Sequence, residues 1–219
     1  MSKIVSDKTA IYLTDGGTLP VAVNIVAIST ASPAVVQVAS TAGITDLDPI
    51  LVEGSGRADL DGKWWQADLV DGTHVALLAS EAGAAVGAVG TIQALAMGTV
   101  LIKACESTVT LNGQDPDSVN LDDMCDSSTK LGDPKPPTMS FTGFVNREEE
   151  GFRNIIRASL ESPKATRVGM ILYPDAEYVI GEIEIGAISV SAAKGQGLSY
   201  SGTGTFTEVP TYSWEQVLA

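Results

Sequence analysis

The chain has 219 residues with 27 Asp and Glu against 13 Lys and Arg, which gives a formal net charge of −14. This charge argues against a protein that grips nucleic acid by its phosphates, because such proteins neutralise the phosphates with basic patches. Hydrophobic residues at 44% and charged residues at 18% are typical of a globular chain. Two uncharged stretches, 16–45 and 82–102, are interrupted by Pro, Gly, Asn and Gln, which favours β segments over membrane spans.

Short β-branched runs separated by turn residues predict strands over most of the N-terminal half. In chain order these strands cover residues 21–29, 34–39, 50–53, 63–69 and 75–78. The turns between them are marked by Pro33, by a glycine-rich loop and by the pair Asp71 and Gly72. The pattern predicts a mainly β fold.

The composition changes near residue 31 and again near residue 96. We expect residues 31–96 to form a small β-barrel module, inserted in a loop of a main domain made of 1–30 and 97–219. The module contains Trp64 and Trp65, which are candidates for an aromatic binding surface. Because neighbours in a strand point to opposite faces, one indole would pack inside the module and the other would cover its rim.

A strand over 108–111 runs into Asn112 and Gly113, which predicts a tight hairpin turn because both residues accept positive φ. The following segment, 114–137, is rich in Asp and Pro and is predicted to be a long, mobile loop, and loops of this length are usually functional or disordered. Its Asp and Pro residues include Asp115, Asp117, Asp122, Asp123, Asp126, Pro134, Pro136 and Pro137.

One segment, 147–160, has helical periodicity. The apolar positions that recur on one of its faces are Phe152, Ile155, Ile156 and Leu160. Asn146 is the expected N-cap, and three glutamates follow it at the end of the helix where the dipole favours negative charge. The helix is expected to end before Pro163.

Strands before and after this helix complete the chain. They are predicted over 138–145, 167–172, 177–191 and 198–208, with a hairpin turn at 173–176 between the second and the third. Glu182 and Glu184 share one face of the third strand, opposite Ile183 and Ile185. The isoleucines are therefore expected to face the core and the glutamates to face away from it.

The sequence offers little catalytic chemistry. His74 is the single histidine, which excludes multi-histidine metal sites, and beside the apolar stretch 75–78 it fits a strand or turn residue better than a catalyst. The paired aspartates 46/48, 59/61 and 115/117 could act as acid and base, but aspartates in turns more often bond nearby backbone amides. We expect no enzymatic activity, no metal and no cofactor.

The C-terminal part resembles the major tail tube protein of lambda-like long-tailed phages. The resemblance rests on the acidic stretch at 121–126, on FTGFVNREEEGFRNIIRASLE and on YVIGEIEIGAISVSAAKGQGLSYSGTGTFTEVP. The segment NIVAISTASPAVVQVASTAGITDLDPILVEGSG, followed by LDGKWWQADLVDGTHVALLAS, is similar to a small β module named for the first catalytic-cysteine half-domain of ubiquitin-activating enzymes. That segment contains no cysteine, so no ubiquitin chemistry follows.

The resemblance implies a tail tube β-sandwich or barrel, with one short helix at about 147–160 and the inserted module on its surface. Subunits would assemble into hexameric rings, and the rings would stack into a tube through which DNA is ejected without specific binding. Other expected partners are the tip or initiator complex, the terminator and the tape measure protein. The protein would be made in the host cytoplasm and reside in the virion.

The same resemblance suggests roles for the candidate residues. The loop at 114–137 would order against the next ring, with the Asp and Pro residues named above as its candidate contacts. Glu182 and Glu184 would face the lumen, although an ordinary solvent-facing strand fits their pattern equally well. A competing interpretation is a capsid or tail decoration protein, or a glycan-binding β module that uses Trp64 and Trp65. A hydrolase that uses an Asp pair is a third possibility, with less support because no nucleophile motif accompanies it.

Overall fold

The computed structural model describes residues 9–16, 19–87, 89–106, 109–112, 118–123, 126–131, 136–173, 177–192 and 197–213. The fold is mainly β, as the sequence predicts, and the described residues contain one helix, α1 (Glu150–Leu160). The strands are β1 (Ala10–Thr14), β2 (Val23–Ile28), β3 (Ala34–Val38), β4 (Pro49–Glu53), β5 (Lys63–Leu69), β6 (His74–Leu77), β7 (Thr91–Ala94), β8 (Leu101–Glu106), β9 (Val109–Asn112), β10 (Ser118–Asp123), β11 (Asp126–Leu131), β12 (Thr138–Phe144), β13 (Arg167–Leu172), β14 (Tyr178–Ala192), β15 (Leu198–Phe206) and β16 (Thr211–Tyr212).

The largest sheet joins strands from both ends of the chain. Its order is β8-β1-β13-β14-β15-β12-β9, and β16 adds to β14 beside this path. The pairs along the path are antiparallel, and the hairpin predicted between 167–172 and 177–185 is confirmed by the pairing of β13 with β14. At that turn the amide of Tyr173 donates to the carbonyl of Glu177 at 2.8 Å.

The sheet folds over one hydrophobic core. Ile11 and Leu13 on β1 lie in the same buried cluster as Phe141 on β12. Tyr200 on β15 crosses this core, and its hydroxyl donates to the carbonyl of Ala104 on β8 at 3.4 Å. The core therefore lies between the β8 side and the β12 side of a single curved sheet.

Helix α1 covers one end of this core. It begins later than predicted, because residues 147–149 form a turn in which Asn146 Oδ1 accepts from the amide of Glu148. Glu149, not Asn146, holds the N-cap position, and its side chain makes no capping bond. Leu160 was expected on the apolar stripe, but it is 77% exposed because it lies in the last helical position. The buried residues of α1 include the polar Asn154.

A polar network fastens α1 to the sheet. Arg167 on β13 is 2% exposed. Its guanidinium donates to the carbonyl of Thr14 at 3.0 Å, to Asn154 Oδ1 at 2.6 Å and to the carboxylate of Glu161. Asn154 in turn donates to the carbonyl of Thr14 at 3.2 Å. Because buried polar groups are costly without partners, this network ties the helix to β1 and β13.

Six strands, β2 to β7, form a closed barrel in the order β2-β3-β6-β5-β4-β7. Its interior contains Val36, Ile50, Leu60 and Trp65, all buried. Closure leaves the barrel without free edges, which suits a small β unit. Strand β2 precedes residue 31, so the barrel starts earlier than the segment predicted for the inserted module.

The barrel packs against the large sheet through a second apolar cluster. Trp64 and Leu95 meet Val168, Met170 and Ile180 there. Hydrogen bonds reinforce the junction: the Tyr178 hydroxyl donates to the Trp64 carbonyl at 3.3 Å, and the Trp64 amide donates to Thr211 Oγ1 at 3.4 Å. The barrel is thus fixed on the face of the sheet that β13 and the start of β14 present.

The segment expected to be a loop at 114–137 contains two paired strands. Strands β10 and β11 form an antiparallel hairpin in which Ser118 pairs with Leu131 and Asp123 with Asp126. The prediction of a loop was wrong for 118–123 and 126–131. It rested on the Asp and Pro content of the segment and neglected the alternation of Val119 and Leu121 with polar residues, which is a strand signal. The turn predicted at Asn112 and Gly113 includes position 113, which lies outside the described residues.

Within the described ranges, no helix is long and apolar enough to cross a membrane.

Candidate functional site

Hydroxyl side chains cover one open face of the large sheet. They alternate with core residues on β12 and β15, so that Thr142 lies opposite Ser201, Ser140 opposite Thr203 and Thr138 opposite Thr205. Strand β14 contributes Ser189 and Ser191 to the same face, opposite Ser201 and Ser199. We call this surface the hydroxyl face; its members are Thr138, Ser140, Thr142, Ser189, Ser191, Ser199, Ser201, Thr203 and Thr205.

Glu182 and Glu184 lie on the side of β14 that continues the hydroxyl face. Glu182 is exposed and Glu184 is half-buried, whereas Ile183 and Ile185 are buried in the core. The register confirms this placement, because Glu184 lies opposite Thr205. The predicted alternation of these four residues is therefore present. Whether the two glutamates face a channel stays a prediction.

Positive charge is separated from the hydroxyl face. Strands β9, β12, β14 and β15 contain no Lys or Arg. The exposed cations near the core instead lie on or beside α1 and on β8: Lys103, Arg147, Arg153, Arg157 and Lys164. The two sides of the core thus differ in charge as well as in the kind of side chain.

The large sheet ends in two edge strands. β8 pairs only with β1 and β9 only with β12 among the described strands. Each edge leaves one row of backbone groups with no strand partner in the described part of the chain, and such a row can accept a strand of another molecule. Phe144, at the end of β12, is 77% exposed. These features mark a surface that can pair with a second copy.

The predicted contact residues of 114–137 fall into three groups. Asp122, Asp123 and Asp126 lie on the β10–β11 hairpin, whose strands are described by their backbone pairing. Pro136 and Pro137 precede β12, and the Pro137 carbonyl accepts from the amide of Phe206 at 3.1 Å. The remaining three, Asp115, Asp117 and Pro134, lie outside the described residues.

Neither tryptophan forms an exposed aromatic platform. Trp65 is 4% exposed inside the barrel, and its indole N–H donates to the Leu60 carbonyl at 3.2 Å. Trp64 is 7% exposed at the junction with the large sheet. The strand alternation that separates them agrees with the sequence, and the indole outside the barrel, that of Trp64, is covered by β13, β14 and Leu95.

The described aspartate pairs hold backbone amides in turns. Asp46 accepts from the amide of Leu69 at 2.8 Å, and Asp61 accepts from the amides of Ser55 and Gly56 at 2.7 and 3.2 Å. Asp59 is bound to Arg57, and this bond lowers the pKa of its carboxyl. These contacts give the aspartates structural roles.

Asp48 has the largest structural role in this group. It is fully buried, and it accepts from the amide and hydroxyl of Thr45 at 2.7 and 2.9 Å and from the amide of Met97 at 2.9 Å. Asp48→Asn should lower the free energy of unfolding by about 1–3 kcal/mol, because an amide replaces an oxygen acceptor with a donor that faces N–H groups. Urea denaturation measures this loss.

The partner position supplies the control. Asp46 is exposed and accepts one amide, so Asp46→Asn should cost less than about 1 kcal/mol. Equal losses for the two variants would contradict the role given to the buried acceptor.

His74 is the first residue of β6, and its ring binds the turn that precedes this strand. Its Nδ1 lies 2.9 Å from both carboxylate oxygens of Asp71. The histidine, together with the amide and hydroxyl of Thr73, lowers the pKa of Asp71 to about 2. Among the described residues no group of three or more His, Cys, Asp or Glu is arranged to hold a metal ion.

No protein-family model and no curated protein matches this chain. The solved structures that are similar to part of it include two of gene transfer agent particles. One is the tail of an empty gene transfer agent particle, obtained by helical refinement with C6 symmetry; it is 14% identical, has a TM-score of 0.39, and the match covers 54% of this chain and 90% of that one.

The second similar structure is the virion of a native gene transfer agent particle. It is 13% identical with a TM-score of 0.38, and the match covers 49% of this chain and 82% of that one. At these TM-scores neither likeness decides the fold or the function of this chain, and both must be argued from its own residues.

The sequence reasoning missed the hydroxyl face as a whole. The signal was present in two short stretches, TMSFTGF at β12 and SYSGTGTF in β15, where Ser or Thr occupies alternate positions. Only the pairing of β12 with β15 and of β15 with β14 shows that these positions lie side by side.

Proposed function

We propose that this protein is a structural virion protein that self-assembles into stacked six-membered rings and forms a tail tube through which DNA passes. The observation that carries the proposal is the hydroxyl face, which has Ser and Thr on three adjacent strands, two glutamates and no Lys or Arg. A surface of this kind contacts a polyanion without binding it.

The physical reason lies in the source of affinity for DNA. Proteins that bind DNA gain most of their non-specific affinity from Lys and Arg, which displace counterions from the phosphates. Uncharged hydroxyls release no counterions and so add nothing to this affinity, and carboxylates repel the phosphates. Six subunits at −14 each bring a formal charge of −84 to a ring. With the hydroxyl face toward the lumen, DNA would slide past the wall.

The two open edges provide a way to close a ring. In a cyclic assembly each subunit offers one patch and receives another, so both edges of the sheet become covered in every copy. Strand β8 lies at one end of the sheet and β9 at the other. Pairing across these edges would also remove the risk of uncontrolled aggregation that open strands carry.

The barrel packs on the same face of the sheet as Glu182, at β13 and the start of β14, so the curved sheet must turn along β14 for the hydroxyl face to line the lumen while the barrel projects from the outside of the tube. Its contacts with Val168, Met170 and Ile180 end where Glu182 begins the open part of β14. We retain the division into a core domain and an inserted module as part of the proposal, with the barrel at Val23 to Ala94 as the module. The described aspartates of the β10–β11 hairpin would contact the next ring.

Assembly in the particle would involve further proteins of the tail. The expected partners are the tip or initiator complex, the terminator and the tape measure, with DNA in the lumen during ejection. This role requires no catalysis, and the described aspartate pairs and His74 are occupied with backbone and side-chain bonds.

Negative-stain electron microscopy of the purified protein across a concentration series, paired with sedimentation, tests the proposal. We expect six-fold rings or hollow tubes whose share rises with concentration. A closed dimer or trimer, or a monomer at every concentration, would overturn self-assembly into a tube.

A further inference from the structure

A cleft of about 280 Å³ opens between the barrel and the C-terminal strand β16. It lies between two separate cores, a place where ligand sites are common. The residues that line it are Asp59, Gly62, Lys63, Trp65, Ala79, Glu81, Val209, Pro210, Thr211 and Tyr212. Of these residues, only Trp65 is named in an interpretation above, as a candidate for glycan contact, and its side chain is buried in the barrel.

The polar rim of the cleft is held from behind by a buried cation. Arg57 has a side chain that is 3% exposed, and its guanidinium binds the Asp59 carboxylate at 2.5 Å and the Glu81 carbonyl at 3.0 Å. A third bond reaches the Ser29 carbonyl at 3.3 Å. Asp59 is thereby kept ionised and fixed in direction, which is how binding groups are preorganised.

The backbone of the rim also departs from ordinary geometry. Ala79 has a φ of 64°, a left-handed conformation that is uncommon for a residue with a side chain. Next to it, the hydroxyl of Ser80 donates to the Leu77 carbonyl and accepts from the amide of Ala34. Backbone strain of this type is concentrated at binding sites, where the surrounding bonds maintain it.

The lining restricts the chemistry of a ligand. Asp59 and Glu81 only accept hydrogen bonds when ionised, whereas Lys63 only donates, so a ligand must both donate and accept. The apolar wall of Val209, Pro210 and the edge of Tyr212 requires a nonpolar face as well. Arg57 behind Asp59 and Lys63 in the lining balance the two carboxylates, so the rim has no net charge that would favour an anion or a cation.

A neutral sugar ring meets all of these conditions. Its hydroxyls donate and accept, and its C–H face packs on apolar and aromatic groups. The cleft is slightly smaller than the 300–1,000 Å³ typical of drug-sized ligands, which fits a single ring. We propose that this cleft binds one neutral hexose unit of a glycan, so that the barrel contacts a glycan-bearing surface.

Saturation-transfer NMR with methyl glycosides of glucose, galactose, mannose and N-acetylglucosamine tests this assignment on the full chain. At least one glycoside should receive saturation from the protein, and the charged sugar glucuronate should bind more weakly than its neutral counterpart. Glu81→Gln should weaken binding by on the order of tenfold, because it removes a charge-assisted acceptor. Val209→Trp should abolish binding by filling the exposed wall.

Asp68→Asn is the matched control for charge. Asp68 is exposed on β5 and does not line the cleft, so this variant should bind like the unmodified protein. No saturation transfer from any of the four glycosides would overturn the proposal. Binding that survives both Glu81→Gln and Val209→Trp would overturn it too, since the site would then lie elsewhere. Neither result depends on ring assembly, so this test and that of the tube fail separately.

Discussion

Gly151→Ala should lower the free energy of unfolding by about 1–3 kcal/mol and the Tm by several degrees, even though Ala is the better helix former. A Cβ at this position would lie 1.8 Å from the Lys103 carbonyl oxygen and 2.8 Å from the Ala104 Cα. Both are backbone atoms of β8, so no side-chain rotation relieves the contact. The gain in helix propensity is about 1 kcal/mol and is smaller than the cost of moving α1 away from the sheet.

Calorimetry or thermal denaturation followed by circular dichroism measures this loss. Gly72→Ala is the steric control, because a Cβ at Gly72 meets no atom within 4 Å and its φ needs no special conformation. It should change stability by no more than about 0.5 kcal/mol. A Gly151→Ala protein as stable as the control would show that α1 does not rest directly on β8.

Local signals in the sequence predict most of the elements but not their ends. The run at Lys63–Leu69 alternates and lies between turns, and both of its predicted ends agree with the strand. The helix is predicted from the same kind of periodicity, and its last residue agrees. Its start differs because the Asn146 cap signal is used by the turn before the helix. A cap residue marks where a turn begins, and the helix need not begin there.

Composition alone gives a wrong secondary structure for the hairpin of β10 and β11, which form a sheet of their own. The β10–β11 hairpin has aspartates at 122, 123 and 126, where its two strands meet the connection, and aspartate is depleted in strands. Its pairing is local, and its six residue pairs are formed across a short connection. The alternation of Val119 and Leu121 was the available signal, and it was outweighed by the surrounding prolines.

The candidate sites depend on contacts that are distant in the chain. The position of Trp64 is decided by strands more than 100 residues later, which no local pattern around Trp64 contains. The cleft likewise combines barrel residues with Val209 to Tyr212. In contrast, Glu182 and Glu184 are placed correctly relative to the core because a strand's own alternation determines their side.

Thr142→Lys should turn a tube that releases DNA into one that retains it. Thr142 is exposed in the middle of the hydroxyl face, opposite Ser201, and its strand carries no other charge. With this face toward the lumen, each ring would place six ammonium groups around the DNA. Every phosphate contact adds a counterion-release contribution, so retention should fall steeply as salt is raised. Assembled tubes incubated with short duplex DNA, sedimented and treated with nuclease, report the DNA held inside.

Two variants separate the lumen from the rest of the surface. Thr142→Glu changes the same position with the opposite charge and should retain no DNA, since carboxylates repel phosphates. Thr30→Lys places the ammonium on an exposed loop of the barrel, so any DNA it binds should remain open to nuclease.

If Thr142→Lys tubes bound DNA that nuclease still digested, the hydroxyl face would lie outside the tube. If Thr142→Lys tubes bound no DNA at low salt, the attraction between six ammonium groups per ring and the phosphates would be too weak to offset the repulsion from a subunit charge of −14. The absence of cations from this face would then not be what allows DNA to pass.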